Sequence, residues 1–117
     1  EIHASSWMSV RRAAQQHEAG TMNMLPPTYI TLRTLAVYNS VAEAITAEGS
    51  TAVPEVFPKF TADGDQVVVL FRGDAGYKSG DASLPGSRHR AGLNGKTWEY
   101  HYRNVDAQYA PLLPLEE

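Results

Sequence analysis

The sequence predicts an α+β fold: a leading strand, two or three helices, then antiparallel β hairpins. Three observations predict it. Amphipathic segments with helix start and stop residues fill positions 1–50. Beyond position 51 they give way to short apolar runs of strand length. Two Asx-Gly pairs, Asp63-Gly64 and Asn94-Gly95, stand between those runs, and such a pair is a strong short-range hairpin signal. The chain divides accordingly into 1–50, a strand and helices, and 51–117, β hairpins and an extended tail.

Each element has a local reason. Residues 2–7 read as a short strand. Ser9 is a candidate N-cap, because its hydroxyl can accept from the free amides of a first turn. Val10, Ala13, Ala14 and His17 then share a helical face, and Gly20 stands where a left-handed C-cap belongs. Arg11 and Arg12 fall in the first turn, where the helix dipole disfavours cations, and read as solvated. His17-Glu18 reads as a favourable charge at the helix end. The second helix opens at Pro26-Pro27. Pro27 suits the first helical position, with its preset φ and an N–H that is not needed there. Leu25, Tyr29, Leu32 and Ala36 follow as a stripe, with Leu35 beside it. Ser40 and Glu43 have capping-box spacing for a third helix over 40–48, and Gly49 ends it.

Strands over 53–60 and 66–72 flank the first hairpin. With Asp63-Gly64 as the turn residues, Phe60 faces Val67, Pro58 faces Val69 and Val56 faces Phe71. Apolar residues on both faces predict burial on both sides. Pro54 and Pro58 cannot donate to a ladder, so their strand is expected to lie at an edge or to carry a bulge. A Gly-, Asp- and Ser-rich loop covers 73–86. With Asn94-Gly95 as the second turn, Arg90 faces Glu99 and Arg88 faces His101, while His89, Ala91, Trp98, Tyr100 and Tyr102 share the other face. The alternating aromatics read as core. The tail over 109–117 reads as extended.

Composition narrows the function classes. At 43% hydrophobic residues the 117-residue chain can build a packed core. A net charge of −3 argues against a nucleic-acid-binding surface. The chain has no cysteine, which excludes disulfides, thiolate metal sites and a cysteine nucleophile. No apolar run approaches the ~20 residues of a membrane helix, and no signal peptide is visible, so a cytoplasmic location is expected. Glu1 in place of an initiator Met suggests a processed product or a piece of a longer chain.

Two stretches invite a site reading. In the first, Pro27, Thr28 and Tyr29 open a helix. If Pro27 is the first helical residue, the amides of Thr28 and Tyr29 lack a side-chain cap and can receive an anion. If Thr28 is the N-cap, its hydroxyl closes the helix instead. In the second, Arg88 and Arg90 belong to the basic cluster Ser87-Arg88-His89-Arg90. The hairpin register turns them to a wet face with Glu99 as a cross-strand partner, while guanidinium geometry also suits a phosphate contact from Arg88, Arg90 or Arg103. The four histidines form no compact metal motif, Asp74 and Asp81 do not have calcium-loop spacing, and neither a nucleophile elbow nor a Walker loop is present.

Trp7-Met8-Ser9, Ala13-Ala14, His17-Glu18-Ala19-Gly20, Met24-Leu25-Pro26-Pro27-Thr28, Thr31-Leu32 and Leu35-Ala36 together resemble the C-terminal half of a Nudix hydrolase of the coenzyme A diphosphatase-like branch. Gly73-Asp74-Ala75-Gly76-Tyr77 and Arg88-His89-Arg90 resemble that branch's tail. The Nudix box itself, a glycine-bounded run ending in Arg-Glu and a Glu pair, is absent; the adjacent glutamates here are Glu116-Glu117. The resemblance therefore implies part of a Nudix-like α/β/α sandwich whose catalytic helix belongs to a missing N-terminal segment. It implies Mg²⁺-assisted cleavage of a pyrophosphate bond in a nucleoside diphosphate derivative, coenzyme A-like or dinucleotide. No catalytic or metal residue falls in this chain, which would be inactive alone, and Pro27, Thr28, Tyr29, Arg88 and Arg90 are its expected substrate contacts. If the leading strand completes a sheet supplied elsewhere, exposed apolar surface would favour a homo-oligomer. A different class of reading is a stand-alone protein-interaction or ligand-binding module without catalysis.

Overall fold

The computed structural model describes residues 6–51 and 56–113. Most of the expected leading strand lies outside them, and Ser6 and Trp7 are not in a strand. Among the described residues three helices, α1 (Val10–Glu18), α2 (Pro26–Leu35) and α3 (Val41–Gly49), precede four strands, β1 (Lys59–Asp63), β2 (Gln66–Leu70), β3 (Arg88–Asn94) and β4 (Thr97–Arg103). The strands form one antiparallel sheet in the order β1-β2-β3-β4, which establishes the α+β class. None of the described helices is long and apolar enough to cross a membrane.

The helix ends follow the local signals. Ser9 accepts from the Arg12 amide at 3.2 Å. Gly20, at φ 79°, lets its own amide reach the His17 carbonyl and the Thr21 amide reach Gln16, a Schellman closure. Ser40 accepts from the Glu43 amide, while the Glu43 carboxylate accepts from the amide of Asn39. Arg11 is tied down rather than simply solvated. It donates from Nε to the Ala36 carbonyl at 2.8 Å and from Nη2 to Tyr38 O and Asn39 Oδ1. The cation sits at the start of its own helix but at the C-terminal end of α2, where the dipole favours it.

Both hairpins turn one residue later than expected. The loops are Gly64-Asp65 and Gly95-Lys96, closed by Asp63 opposite Gln66 and Asn94 opposite Thr97. Gly64 and Gly95 have φ 62° and 65°, and neither following residue has positive φ. Each glycine thus takes the first loop position, as in a type II′ turn, rather than the second. Partners shift by two residues: Phe60 opposes Val69, Arg90 opposes His101, and Glu99 opposes Gly92. A shift of two leaves every side chain on its expected face.

Two buried clusters sandwich the sheet. On one face Val69, Phe71, Ala91 and Trp98 pack with Tyr29 of α2. On the other, Val68 and Leu70 are covered by Ala82 and Tyr77 of the loop between β2 and β3. The expected double-sided burial therefore holds for β2, whose Val68, Val69 and Leu70 are at most 1% exposed. Burying such side chains contributes about 1.5–3 kcal/mol each. It does not hold for β1, an exposed edge strand preceded by Pro58. Residues 53–55, part of the expected first strand, and 114–117 of the tail lie outside the described residues.

Candidate functional site

The start of α2 decides the anion question through its backbone. Pro26, not Pro27, is the first helical residue, and neither proline has an N–H. The Thr28 and Tyr29 amides both donate to the Leu25 carbonyl, at 3.1 Å each. The helix therefore opens with no side-chain cap and no free amide. Thr28 is neither N-cap nor ligand-facing by hydrogen bonding; its side chain is exposed at the third helical position. Pro27 is exposed and borders an apolar cleft of about 820 Å³, walled by α2 with Ile30 and Leu35, by Phe60, and by Pro111 of the tail.

Tyr29 is buried, and its hydroxyl enters a different cleft. It donates to Glu18 Oε1 at 3.1 Å and accepts from Arg33 Nη1 at 3.0 Å, while the same Arg33 nitrogen reaches Glu18 at 3.0 Å. Burial pushes the Tyr29 phenol above its ordinary value, against the pull of Arg33. Burial lowers the Arg33 guanidinium, but Tyr29 and Glu18 outweigh it and hold the group above its usual range. This cluster joins the end of α1 to α2. It opens onto a cleft of about 600 Å³ that follows all of β4, from Thr97 to Arg103.

Arg88 and Arg90 lie on the other face of the sheet from Tyr29, so the two sets of candidates do not meet. Their expected wet face is dry at Arg90, because the loop between β2 and β3 folds over it. Arg90 is 6% exposed. It grips Asp74 with Nε and Nη2, at 2.8 Å each, and donates from Nη1 to the Ala82 carbonyl at 3.0 Å. All three guanidinium nitrogens are engaged. Burial alone would raise the Asp74 carboxyl, yet Arg90 and the amides of Gly76 and His89 outweigh it and hold it below its usual range. Arg88 remains half-buried and donates to the Leu84 carbonyl at 2.8 Å.

Two histidines are structural. His17 is fully buried and is not a helix-end charge: Nδ1 donates to the Met22 carbonyl at 2.9 Å and Nε2 accepts the Trp98 amide at 3.1 Å. The incoming N–H requires a lone pair on Nε2, which selects the tautomer. His89 Nδ1 donates to Arg72 O at 2.7 Å, and Nε2 has no partner among the rings of Phe71, Tyr100 and Tyr102. Burial lowers the His89 imidazole below its ordinary value, over the opposing effects of Arg72 and Asp74.

The sequence does not single out Arg33, and it places Asp74 only in a Gly-, Asp- and Ser-rich loop without calcium-loop spacing. Arg33 was findable, because it stands four residues after Tyr29 on one helix face. Asp74 and Arg90 are 16 positions apart and share no local pattern. Among the described residues no three His, Asp or Glu side chains gather as a metal site. Glu18 and Asp74 are committed to arginines, and Asp81 to Ser83, so these carboxylates do not fit a Mg²⁺ ion. The described residues form a small α+β unit that carries an apolar cleft and a mixed cleft. Comparison with known proteins finds no matching family model, no matching curated protein and no matching solved structure.

Proposed function

We propose that the chain is the C-terminal portion of a Nudix-type hydrolase that cleaves a pyrophosphate bond in a nucleoside diphosphate derivative, with its catalytic carboxylates on an upstream segment. The resemblance over residues 7–36 is the basis. The observation that supports it is the placement of Trp7, the first residue of that stretch. It is fully exposed directly ahead of α1, although covering such a ring is worth about 1.5–3 kcal/mol or more. A further segment of protein packed there would bury it. In this reading the 117 residues complete the fold and offer the apolar cleft beside Pro27 to the non-phosphate part of the substrate.

The test compares two chains, this one and the same one extended by its upstream reading frame. Each is incubated with coenzyme A or NADH and Mg²⁺, and the nucleotide products are separated. Turnover is expected from the extended chain alone. Turnover by the 117 residues, or an upstream frame without an acidic box, overturns the reading.

The second reading is a binding module without catalysis, favoured by the size of the apolar cleft. Its volume of about 820 Å³ lies within the range of small-molecule sites, roughly 300–1,000 Å³. Specific, saturable binding of an apolar probe that Ile30→Glu abolishes would support it, in a chain that gains no activity when extended.

A further inference from the structure

Among the described residues β4 is an edge strand, with β3 on one side and no strand on the other. Its outward groups can be assigned. The two-residue turn makes Asn94 and Thr97 the closing hydrogen-bonded pair, so alternate residues from Thr97 bond inward to β3. Trp98, Tyr100 and Tyr102 therefore direct their backbone N–H and C=O outward. The Trp98 amide confirms the direction, since it leaves the sheet to bond His17 Nε2. At the other end Asn104, at φ 55°, breaks the strand. Between these stops Tyr100 and Tyr102 are the open backbone positions, facing the cleft that runs the length of the strand.

We propose that this edge is a dimer interface, on which a second copy of the chain lays its own β4 antiparallel about a two-fold axis at His101. Tyr100 of each copy then opposes Tyr102 of the other, and both pairs exchange their two backbone bonds. The edge becomes the centre of a continuous sheet. The side chains supply the argument for a second copy over any other strand. With His101 on the axis, Glu99 of one copy lies opposite Arg103 of the other, twice. These fall at non-hydrogen-bonded positions, where opposing residues are closest. Glu99 and Arg103 are both exposed, and Arg103 has no ion-pair partner among the described residues. Charges on an edge strand ordinarily deter pairing; here their signs are self-complementary. The other two-fold registers fail on the same geometry. Centring on Tyr100 needs the Trp98 amide that His17 holds, and centring on Tyr102 sets His101 against Arg103.

The inference does not rest on the hydrolase reading, because association is measured without turnover. Sedimentation of the purified chain over a wide concentration range should show a monomer–dimer equilibrium. Glu99→Arg and Arg103→Glu should each weaken it by about tenfold or more, the scale of replacing two cross-strand attractions by repulsions. The double variant should recover it, which separates a broken contact from a broken fold. Because the chain has no cysteine, His101→Cys gives a second readout. Opposed Cα atoms at such a position are about 4.5 Å apart, within disulfide range. Mild oxidation should yield a covalent dimer, whereas Lys96→Cys in the turn should not. A wild-type chain that stays monomeric, single charge variants that associate like wild type, or a double variant without recovery overturns the proposal.

Discussion

His17 and Trp98, 81 positions apart, are joined by a hydrogen bond of 3.1 Å between the imidazole Nε2 and the backbone amide. A side chain of α1 thereby satisfies a donor on the edge of the sheet, and Nδ1 of the same ring satisfies the Met22 carbonyl beyond the helix end. The ring also stacks at a tilt on Tyr29, 4.7 Å between centroids. One residue thus holds α1, α2 and β4 in register. His17→Ala removes both bonds and leaves a cavity, at an expected cost of about 3–5 kcal/mol. Urea unfolding measures it, and a loss below ~1 kcal/mol would contradict the role assigned to the ring.

The Asp74–Arg90 pair should behave as a buried ion pair. Asp74→Asn leaves the guanidinium without its counter-charge and should cost about 3–5 kcal/mol. Its acid dependence has a definite sign. The fold holds the Asp74 carboxyl below its ordinary value, so the unfolded chain takes up the proton first as pH falls. The contribution is complete above the unfolded carboxyl's value of ~3.9 and is lost as pH drops through the folded one. Denaturation curves collected down this range should show a shallower acid limb for the Asn variant. An unchanged limb would mean that Asp74 does not dominate the acid response.

Three hydroxyls at helix starts should separate cleanly. Ser9→Ala and Ser40→Ala each remove a cap bond and should cost about 1 kcal/mol. Among the described residues the Thr28 hydroxyl makes no hydrogen bond, so Thr28→Ala should change stability by no more than about 0.5 kcal/mol. A cost for Thr28 matching that of Ser9 would restore the cap that the structure does not show. In the extended chain the same variant should leave KM unchanged, since the start of α2 offers a phosphate no free amide.

Tyr100 should ionise late. Burial pushes its phenol up to about 12, against the Leu112 amide that donates to it at 2.9 Å. An acid whose folded value is raised stabilises the fold below its unfolded value of ~10, and that contribution is lost as pH rises toward the folded one. Ultraviolet titration should reveal a tyrosine that resists ionisation when the exposed phenols have titrated, and Tyr100→Phe should remove it. The phenylalanine also strands the Leu112 amide, for a loss of about 1 kcal/mol.

Much of the fold was legible because its signals are local. Ser9, Gly20 and Ser40 mark helix ends through hydrogen bonds that reach only a few residues. Asp63-Gly64 and Asn94-Gly95 locate the hairpins for the same reason. They locate the turns only to within one residue, because glycine can fill either loop position of a primed turn. The face of each strand survived this ambiguity, since a two-residue slip in pairing preserves alternation.

The candidate site was legible only in part. Tyr29 was singled out for the amides around it, yet its buried hydroxyl is what reaches a cleft. Arg90 was read as wet because a cross-strand rule knows the sheet but not the loop above it. By itself the sequence determined the order of helices and strands, their caps and turns, and which residues share a face; these depend on neighbours in the chain. Only the tertiary structure decided that the loop between β2 and β3 buries Arg90 on Asp74, that two prolines leave α2 without an open amide, and that His17 closes the sheet edge at Trp98. The first and last join groups distant in sequence, where burial and competing partners, rather than local propensity, set the outcome. The second turned on which proline came first in the helix, a choice that the residues alone left open.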